Sequence, residues 1–426
     1  MEGAFGQMAV AGDPELVDPL SPQIVLEAIS AAVGMDNAAR TAAETALTTW
    51  EKDAAPGFIG SLIQIVQQTE AAPQPARMLA AIVAKNAVGS SWRKTMGTKE
   101  WSRVPEDEKA FIRSSVEGML LSDPSDQIAL HLTLLIANMA QFDFPNGWPH
   151  LITALVGAAA WDQQVCGPAA KVRAMRTVKH VVAVLAAKRP SINTLEQAAA
   201  GAGLQALVAE RVDELKRMRA SAVEAFGPVR EEWMRHSAAL VQGVTGEPGD
   251  DAVALQHREK LAKQCLRVIV AFIKMLPSLP AASANIEPLY QTILQQVPVL
   301  LGPYPALFVR MSECALAALD DHALEFRSYL PHYLEMFTTV MMELPVDREA
   351  LQKQPKTLMV VTRFLARAML NPLYVFDAVC FVYTCRRLID LSLIAGTTQR
   401  AWHGCNLARS GSRRRRYDRY QSLART

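Results

Sequence analysis

Apolar residues recur at helical spacing through most of the first 370 positions, and short runs of Pro, Gly, Ser and Asp interrupt them. Ile128, Leu132, Leu135, Ile136 and Met139 fall at i, i+4, i+7, i+8 and i+11, which is one face of an α-helix. Phe58, Leu62, Ile65 and Val66 repeat the first four of those steps and predict a second amphipathic helix. Upstream, helix-compatible, Ala-rich sequence runs from Pro22 to Trp50. There Leu47 and Trp50, with Ala43 and Ala46 on neighbouring rows, make an apolar stripe. Arg77 to Val88 predicts a further helix with Leu79, Ile82 and Val83 facing inward. Phe111, Ile112, Val116 and Met119 follow Pro105–Glu106–Asp107–Glu108, whose carboxylates suit a helix N-terminus. Leu151 to Val156 begins another helix.

The interruptions are as regular as the stripes. Ala55–Pro56–Gly57, Ala72–Pro73–Gln74–Pro75 and Ser122–Asp123–Pro124–Ser125 each end one helix and free the next. Residues 143–149, Asp-Phe-Pro-Asn-Gly-Trp-Pro, read as a turn anchored by Phe144 and Trp148. Further on, Lys171–Val172–Arg173 opens a helix that buries Val178, Val181, Val182 and Leu185. Asn193 to Glu232 continues as one or two helices, and Gly243 to Asp251 is an acidic, Gly-rich loop. Residues 253–276 form a helix that buries Leu261, Cys265, Leu266, Val268, Ile269 and Phe272. Breaks then fall at Pro277–Pro280, Pro298 to Pro305, Pro331 and Pro345. Helices of this length, paired, give hairpins of about forty residues, so the body has room for roughly eight.

Composition narrows the class. Half of the 426 residues are hydrophobic, only 7% are aromatic, and no sustained strand alternation precedes residue 370, which predicts an all-α protein. The net charge of +2 is uneven: residues 409–426 hold seven Arg and one Asp, a net +6, so the remaining 408 residues carry −4. A mildly acidic body suits a basic partner. The six Cys are scattered without a C-x-x-C pair, as expected of buried thiols in a reducing compartment. The first basic residue is Arg40, which argues against a signal peptide, and no run of eighteen apolar residues appears, so no membrane insertion is expected.

Catalytic signatures are missing from the sequence. There is no G-x-G-x-x-G, P-loop, G-x-S-x-G or H-E-x-x-H. His180, His236, His257, His322 and His332 are isolated and read as surface or packing residues. His403 and Cys405 make a poor metal site. No enzyme activity, cofactor or metal is expected. Arg413 to Arg416 reads as an inert tail or as a nuclear-localisation or nucleic-acid patch; direct nucleic-acid binding is not expected.

The ordered set Ala43–Glu44, Leu47, Trp50, Pro56–Gly57–Phe58, Leu62, Arg77, Ala80, Lys85–Asn86 and Trp92 resembles the N-terminal domain of the importin-beta (karyopherin-beta) family of nuclear transport receptors. Glu108–Lys109, Ile112–Arg113, Gln127, Ile136–Ala137, Asp143–Phe144–Pro145 and Trp148–Pro149 extend the resemblance, which is closest to the importin eleven branch through Trp50–Glu51 and Pro56–Gly57–Phe58. It is strong over residues 40–155 and weaker through Leu261 to Phe272 and Ser328 to Met342.

The resemblance implies an all-α, right-handed α-solenoid superhelix of HEAT/ARM-like hairpins. It also implies partners: Ran-GTP at the first repeats, nucleoporin Phe-Gly repeats, and protein cargo carried into the nucleus by a receptor that shuttles between nucleus and cytoplasm. Within it Arg77 and Lys85, eight residues apart and so within about eighty degrees on one helix, with Asn86 beside them, are the expected Ran contacts; alternatively they are solvated surface charges. Trp50, Pro56, Gly57, Phe58, Trp92, Asp143, Phe144, Pro145 and Trp148 are its structural motif. The expected organisation is a disordered segment 1–20, a Ran-binding domain 21–156, further HEAT repeats over 157–370 and an atypical Arg-rich tail 371–426. In that tail Leu373–Phe376 and Cys380–Tyr383 look strand-like and the last thirty or so residues look foreign to the family. Family members run to roughly twice this length, so the chain reads as truncated or mis-read. Two other readings stay open: an exportin of the same family, and a HEAT scaffold or adaptor that does not bind Ran.

Overall fold

The computed structural model describes residues 19–92, 94–96, 99–101, 104–162, 166–187, 202–246, 251–275, 286–343 and 355–369. The expectations for residues 1–18, the tail 371–426, Pro277–Pro280 and Pro345 lie outside them. The described chain is almost wholly α-helical, as the apolar spacing predicts, and it divides into two compact units at Val184/Leu185.

The first unit is built from antiparallel helix pairs. α1 (Pro22–Ala32) packs on α2 (Asn37–Asp53), α3 (Phe58–Gln67) on α4 (Gln74–Ser91), and α5 (Glu106–Ser122) on α6 (Asp126–Asp143). Along the chain α1, α3 and α5 lie side by side as one layer, and α2, α4 and α6 as the other. α7 (Leu151–Ala159) and α8 (Pro168–Ala187) continue the series.

Each boundary has a local cause. Ser21 caps α1, its Oγ accepting from the Ile24 N–H, and Pro22 fills the first turn, where no donor is needed. The helix-compatible stretch Pro22–Trp50 forms two helices that part at 33–36, where the Asp36 carboxylate accepts from the Ala38 and Ala39 amides and starts the second. α2 ends with Ala54 in the left-handed region at φ 52°, followed by Gly57 at φ 76°. The Leu20 N–H donates to Pro56 O at 2.8 Å and Ser61 Oγ to Leu20 O at 2.9 Å, which pins the entering chain across the Pro56–Gly57 turn. Glu108 on α5 accepts from the Gly57 and Gly60 amides at 3.1 and 2.7 Å, so a neighbouring helix supplies the N-cap that α3 lacks.

Two predicted faces behave differently. On α6 all five stripe residues are fully buried. On α4 the inward set is not Leu79, Ile82 and Val83, which are only half-buried, but Ala76, Arg77, Ala80, Ala81, Ala84, Ala87 and Val88. Helices pressed close on several sides select the smallest side chains. Phe111, expected in the core, is 37% exposed. Between α4 and α5 the chain makes a short antiparallel hairpin, β1 (Lys94–Met96) with β2 (Lys99–Trp101), an element with no counterpart in the helical reading.

The second unit repeats the plan. After α9 (Ala202–Val223), α10 (Phe226–Thr245) packs on α11 (Ala252–Met275), and α12 (Glu287–Leu300) on α13 (Pro305–Asp321). The one-turn α14 (Ala323–Phe326) leads to α15 (Leu330–Glu343), which packs on α16 (Pro355–Met369). α10, α12 and α15 form one layer; α11, α13 and α16 form the other. The stripe expected over 253–276 is buried throughout. Pro298 does not break the chain; it sits in the last turn of α12, and the break falls at 301–304. Tyr333, Phe337 and Phe364 fill the core, with the Phe337 and Phe364 rings 4.3 Å apart. Tyr333 Oη donates to Tyr290 O, and the His322 ring bonds Ile273 O, so buried polar atoms tie neighbouring helices.

Candidate functional site

Among the described residues no three His, Cys, Asp or Glu gather as a metal site, and no helix is long and apolar enough to cross a membrane. What the first unit offers is a surface. Between α4 and α6, in the layer formed by the second helix of each pair, lies an open groove of about 500 Å³ lined by Lys85, Asn86, Gly89 and Ser90 from α4 and by Leu134 and Asn138 from α6. Asn138 Nδ2 donates to Lys85 O at 3.4 Å and ties the two walls. A Cβ at Gly89 would meet open space, so this rim is bare backbone available for close approach. The Lys85 side chain is half-exposed and its ammonium has no carboxylate partner among the described residues. An uncompensated cation between two side-chain amides favours an acidic segment of a partner.

One turn back on the same face of α6, His131 is half-buried. Its Nδ1 is shielded from solvent and has no hydrogen-bond partner among the described residues. Burial, and then the Lys85 charge, hold the imidazole below its ordinary pKa.

The expected contact set separates in three dimensions. Lys85 and Asn86 line the groove, but Arg77 is 2% exposed and turned into the core. Its Nε donates to Val66 O at 2.9 Å, and its guanidinium forms an ion pair with buried Asp123. Eighty degrees of rotation puts one cation at the surface and the other inside. Arg77 is therefore not half of an exposed basic pair; it fastens α4 to the turn before α6. From the other side Arg173 of α8 donates to Asp126 Oδ1 at 2.8 and 2.6 Å and to Asp123 O, so the start of α6 is gripped by its neighbours in both directions.

The structural-motif residues form two clusters. Phe58 is buried and half-buried Trp50 meets its ring edge-on, 5.9 Å between centroids. Fully buried Trp92 donates from Nε1 to Asp143 Oδ2 at 3.0 Å, and Arg113 NH1 reaches the same oxygen at 2.9 Å. Lys109 Nζ stands 5.5 Å over the Trp92 ring, and Glu106 bonds Arg113 at 2.6 Å. That hydrogen bond to Arg113 holds the Glu106 carboxyl below its ordinary pKa. Phe144 and Trp148 are buried around the Phe144–Pro145 bond, which is cis, and Trp148 Nε1 donates to Glu117 at 2.8 Å. Burial raises the Glu117 carboxyl above its ordinary pKa despite that bond. The roles of Glu108, Asp123, Asp143 and Glu117 rest on contacts 30 to 51 residues apart, which no local pattern displays.

Residues 43–122 match the family model of the importin-beta N-terminal domain. Importin-11 of Mus musculus is 31% identical over 168 residues, which are 39% of this chain and 16% of that protein. Exportin-2 of Pagrus major is 31% identical over 80 residues, 19% of this chain and 8% of that protein. The chain thus matches a small part of the length of these relatives. Among solved structures, Kap95p, described with RanGDP, superposes with a TM-score of 0.54 at 15% identity over 88% of this chain and 38% of its own. Kap121p bound to Nup53p gives 0.50 at 16% identity over 88% and 29%. At such identities the likeness shows the fold, a solenoid of helical hairpins. Residues 43–122 are thus similar in sequence to the importin-beta N-terminal domain, and the helical hairpins of this chain are similar in fold to those of Kap95p and Kap121p.

Proposed function

We propose that this chain acts by binding, as a nuclear transport receptor that engages Ran-GTP through the α4–α6 groove, with Lys85 and Asn86 as contacts. One observation carries the reading: Lys85, inside the segment 43–122 that matches the importin-beta N-terminal domain, has no carboxylate partner among the described residues and lines a groove whose other wall, α6, lies just beyond that segment. Nucleoporin Phe-Gly repeats and protein cargo are the other partners of the reading. The importin-11 likeness favours import and shuttling between nucleus and cytoplasm, and the Exportin-2 likeness makes export by the same machinery the second reading. In the test, the full chain is presented with Ran loaded with GTP or GDP. Selective capture of the GTP form, lost in Lys85→Glu with the helical circular dichroism unchanged, is the expected result. Equal or absent capture of both forms sinks the proposal and leaves a hairpin scaffold with another partner.

A further inference from the structure

Beside the groove, one turn back from Leu134 on α6, stands His131, a group that none of the contacts described above accounts for. His131, Leu134 and Asn138 follow at i, i+3 and i+7, so the imidazole shares the α6 face that makes one wall of the groove. Its Nδ1 is out of water and has no hydrogen-bond partner among the described residues. From α4 the ammonium of Lys85 acts on it. From α8, which meets α6 at the Thr133–Thr177 hydrogen bond of 2.9 Å, Arg173 is committed to Asp126 and Asp123, and Arg176 is the other cation of that turn. Of the charged side chains of α5, Glu106, Lys109, Arg113 and Glu117 are taken up around Trp92, Asp143 and Trp148, Glu108 caps α3, and Asp107 is exposed in the first turn. Among the described residues no carboxylate is a cause of the lowered His131 pKa, so none stabilises an imidazolium there.

A carboxylate brought in by a partner changes both conditions. It neutralises the Lys85 ammonium that disfavours a charged ring, and it adds a negative charge beside that ring. We propose that filling the α4–α6 groove with an acidic segment of a protein partner is coupled to uptake of one proton by His131, so that the complex tightens as the pH falls. The inference rests on the receptor reading for its partner, but not for its mechanism. The sign follows from linkage. Burial and the Lys85 charge disfavour a charged His131 ring in the free protein, and the complex favours it, so affinity rises as pH falls through the histidine range and is flat well above it.

The test is calorimetric titration of the full chain with Ran bound to a non-hydrolysable GTP analogue, between pH 6.0 and 8.0, in two buffers of different ionisation heat. Wild type is expected to bind about three- to tenfold more tightly at pH 6.0 than at pH 8.0, each unit of pKa difference between free and bound states being worth at most about tenfold. It is also expected to take up a measurable fraction of a proton at pH 7. His131→Gln is expected to lose both the slope and the uptake, and Lys85→Ala to reduce them. Binding by wild type without proton uptake overturns the inference while leaving the receptor reading intact. A pH slope unchanged in His131→Gln does the same, since the slope then belongs to the GTPase. Absence of binding at every pH overturns the receptor reading and this inference with it.

Discussion

At the scale of single residues, charge is spent mostly inside the protein. Arg77 and Asp123 are each at most 3% exposed. Removing one partner of such a buried pair strands the other, which costs about 3–5 kcal/mol, whereas replacing both costs far less. Arg77→Ala should therefore lower stability by about that amount. Arg77→Met combined with Asp123→Asn should recover part of it, and a double-mutant cycle in urea measures the coupling. Glu117 gives the opposite case. Its carboxyl is held above its ordinary pKa by burial, so the folded state binds the proton more tightly than the unfolded one. Its contribution is full at low pH and is lost as pH rises through the carboxylate range. Glu117→Gln keeps an acceptor for Trp148 Nε1–H and removes the charge. The variant should melt about 1–2 °C higher than wild type at pH 7 and together with it at pH 4. None of these pairings is visible along the chain, because each partner lies tens of residues away. Lys85, by contrast, is half-exposed with no carboxylate partner among the described residues, and a lysine at the surface is what its sequence context suggests.

At the scale of helices, legibility depends on what a face packs against. The large residues of α6 repeat at clear spacing and all lie in the core. α4 misleads because its buried face is alanine, while Leu79, Ile82 and Val83 remain half-buried. Hydrophobicity ranks side chains by size, and close helix contacts invert that ranking. Ala84→Leu, at a position with no exposure, should accordingly cost about 1–3 kcal/mol through overpacking. Leu79→Ala, by this account, should cost less than a core leucine truncation. Breaks follow the same logic. Pro56–Gly57 and Pro124 announce themselves, whereas the turn at 33–36 hides behind a single capping aspartate. The α3 start depends on two distant features: the left-handed Gly57, whose Cβ would lie 3.0 Å from Pro19 Cβ, and the Glu108 cap. Gly57→Ala should cost about 1–2 kcal/mol from the backbone alone. Glu108→Ala should cost a similar amount for two orphaned amides. Both are read as shifts in the urea midpoint.

At the scale of the whole molecule, helices mostly touch sequence neighbours, hairpin upon hairpin, within each of the two units. In such an array stability is a sum of repeat and nearest-neighbour terms, so a local lesion spreads weakly. The Asp143 carboxylate offers a sharp trial. It is 8% exposed and receives Trp92 and Arg113, joining the ends of α4 and α6 to α5. Asp143→Ala removes the acceptor of a buried indole N–H and one of the two carboxylates paired with the part-buried Arg113 guanidinium, a cost of about 2–4 kcal/mol. If the array picture holds, that cost falls on the first unit. Hydrogen exchange in rising urea should show α4, α5 and α6 opening at lower denaturant in the variant, while α11, α13 and α16 keep their wild-type midpoint. A common shift of all six helices would mean that the 426 residues unfold as one cooperative body, and the nearest-neighbour account would then fail. The same experiment bears on function. The α4–α6 groove is built on these helices, so the variant should also lose partner binding in step with exchange protection of α4 and α6, although Asp143 lines no part of the groove.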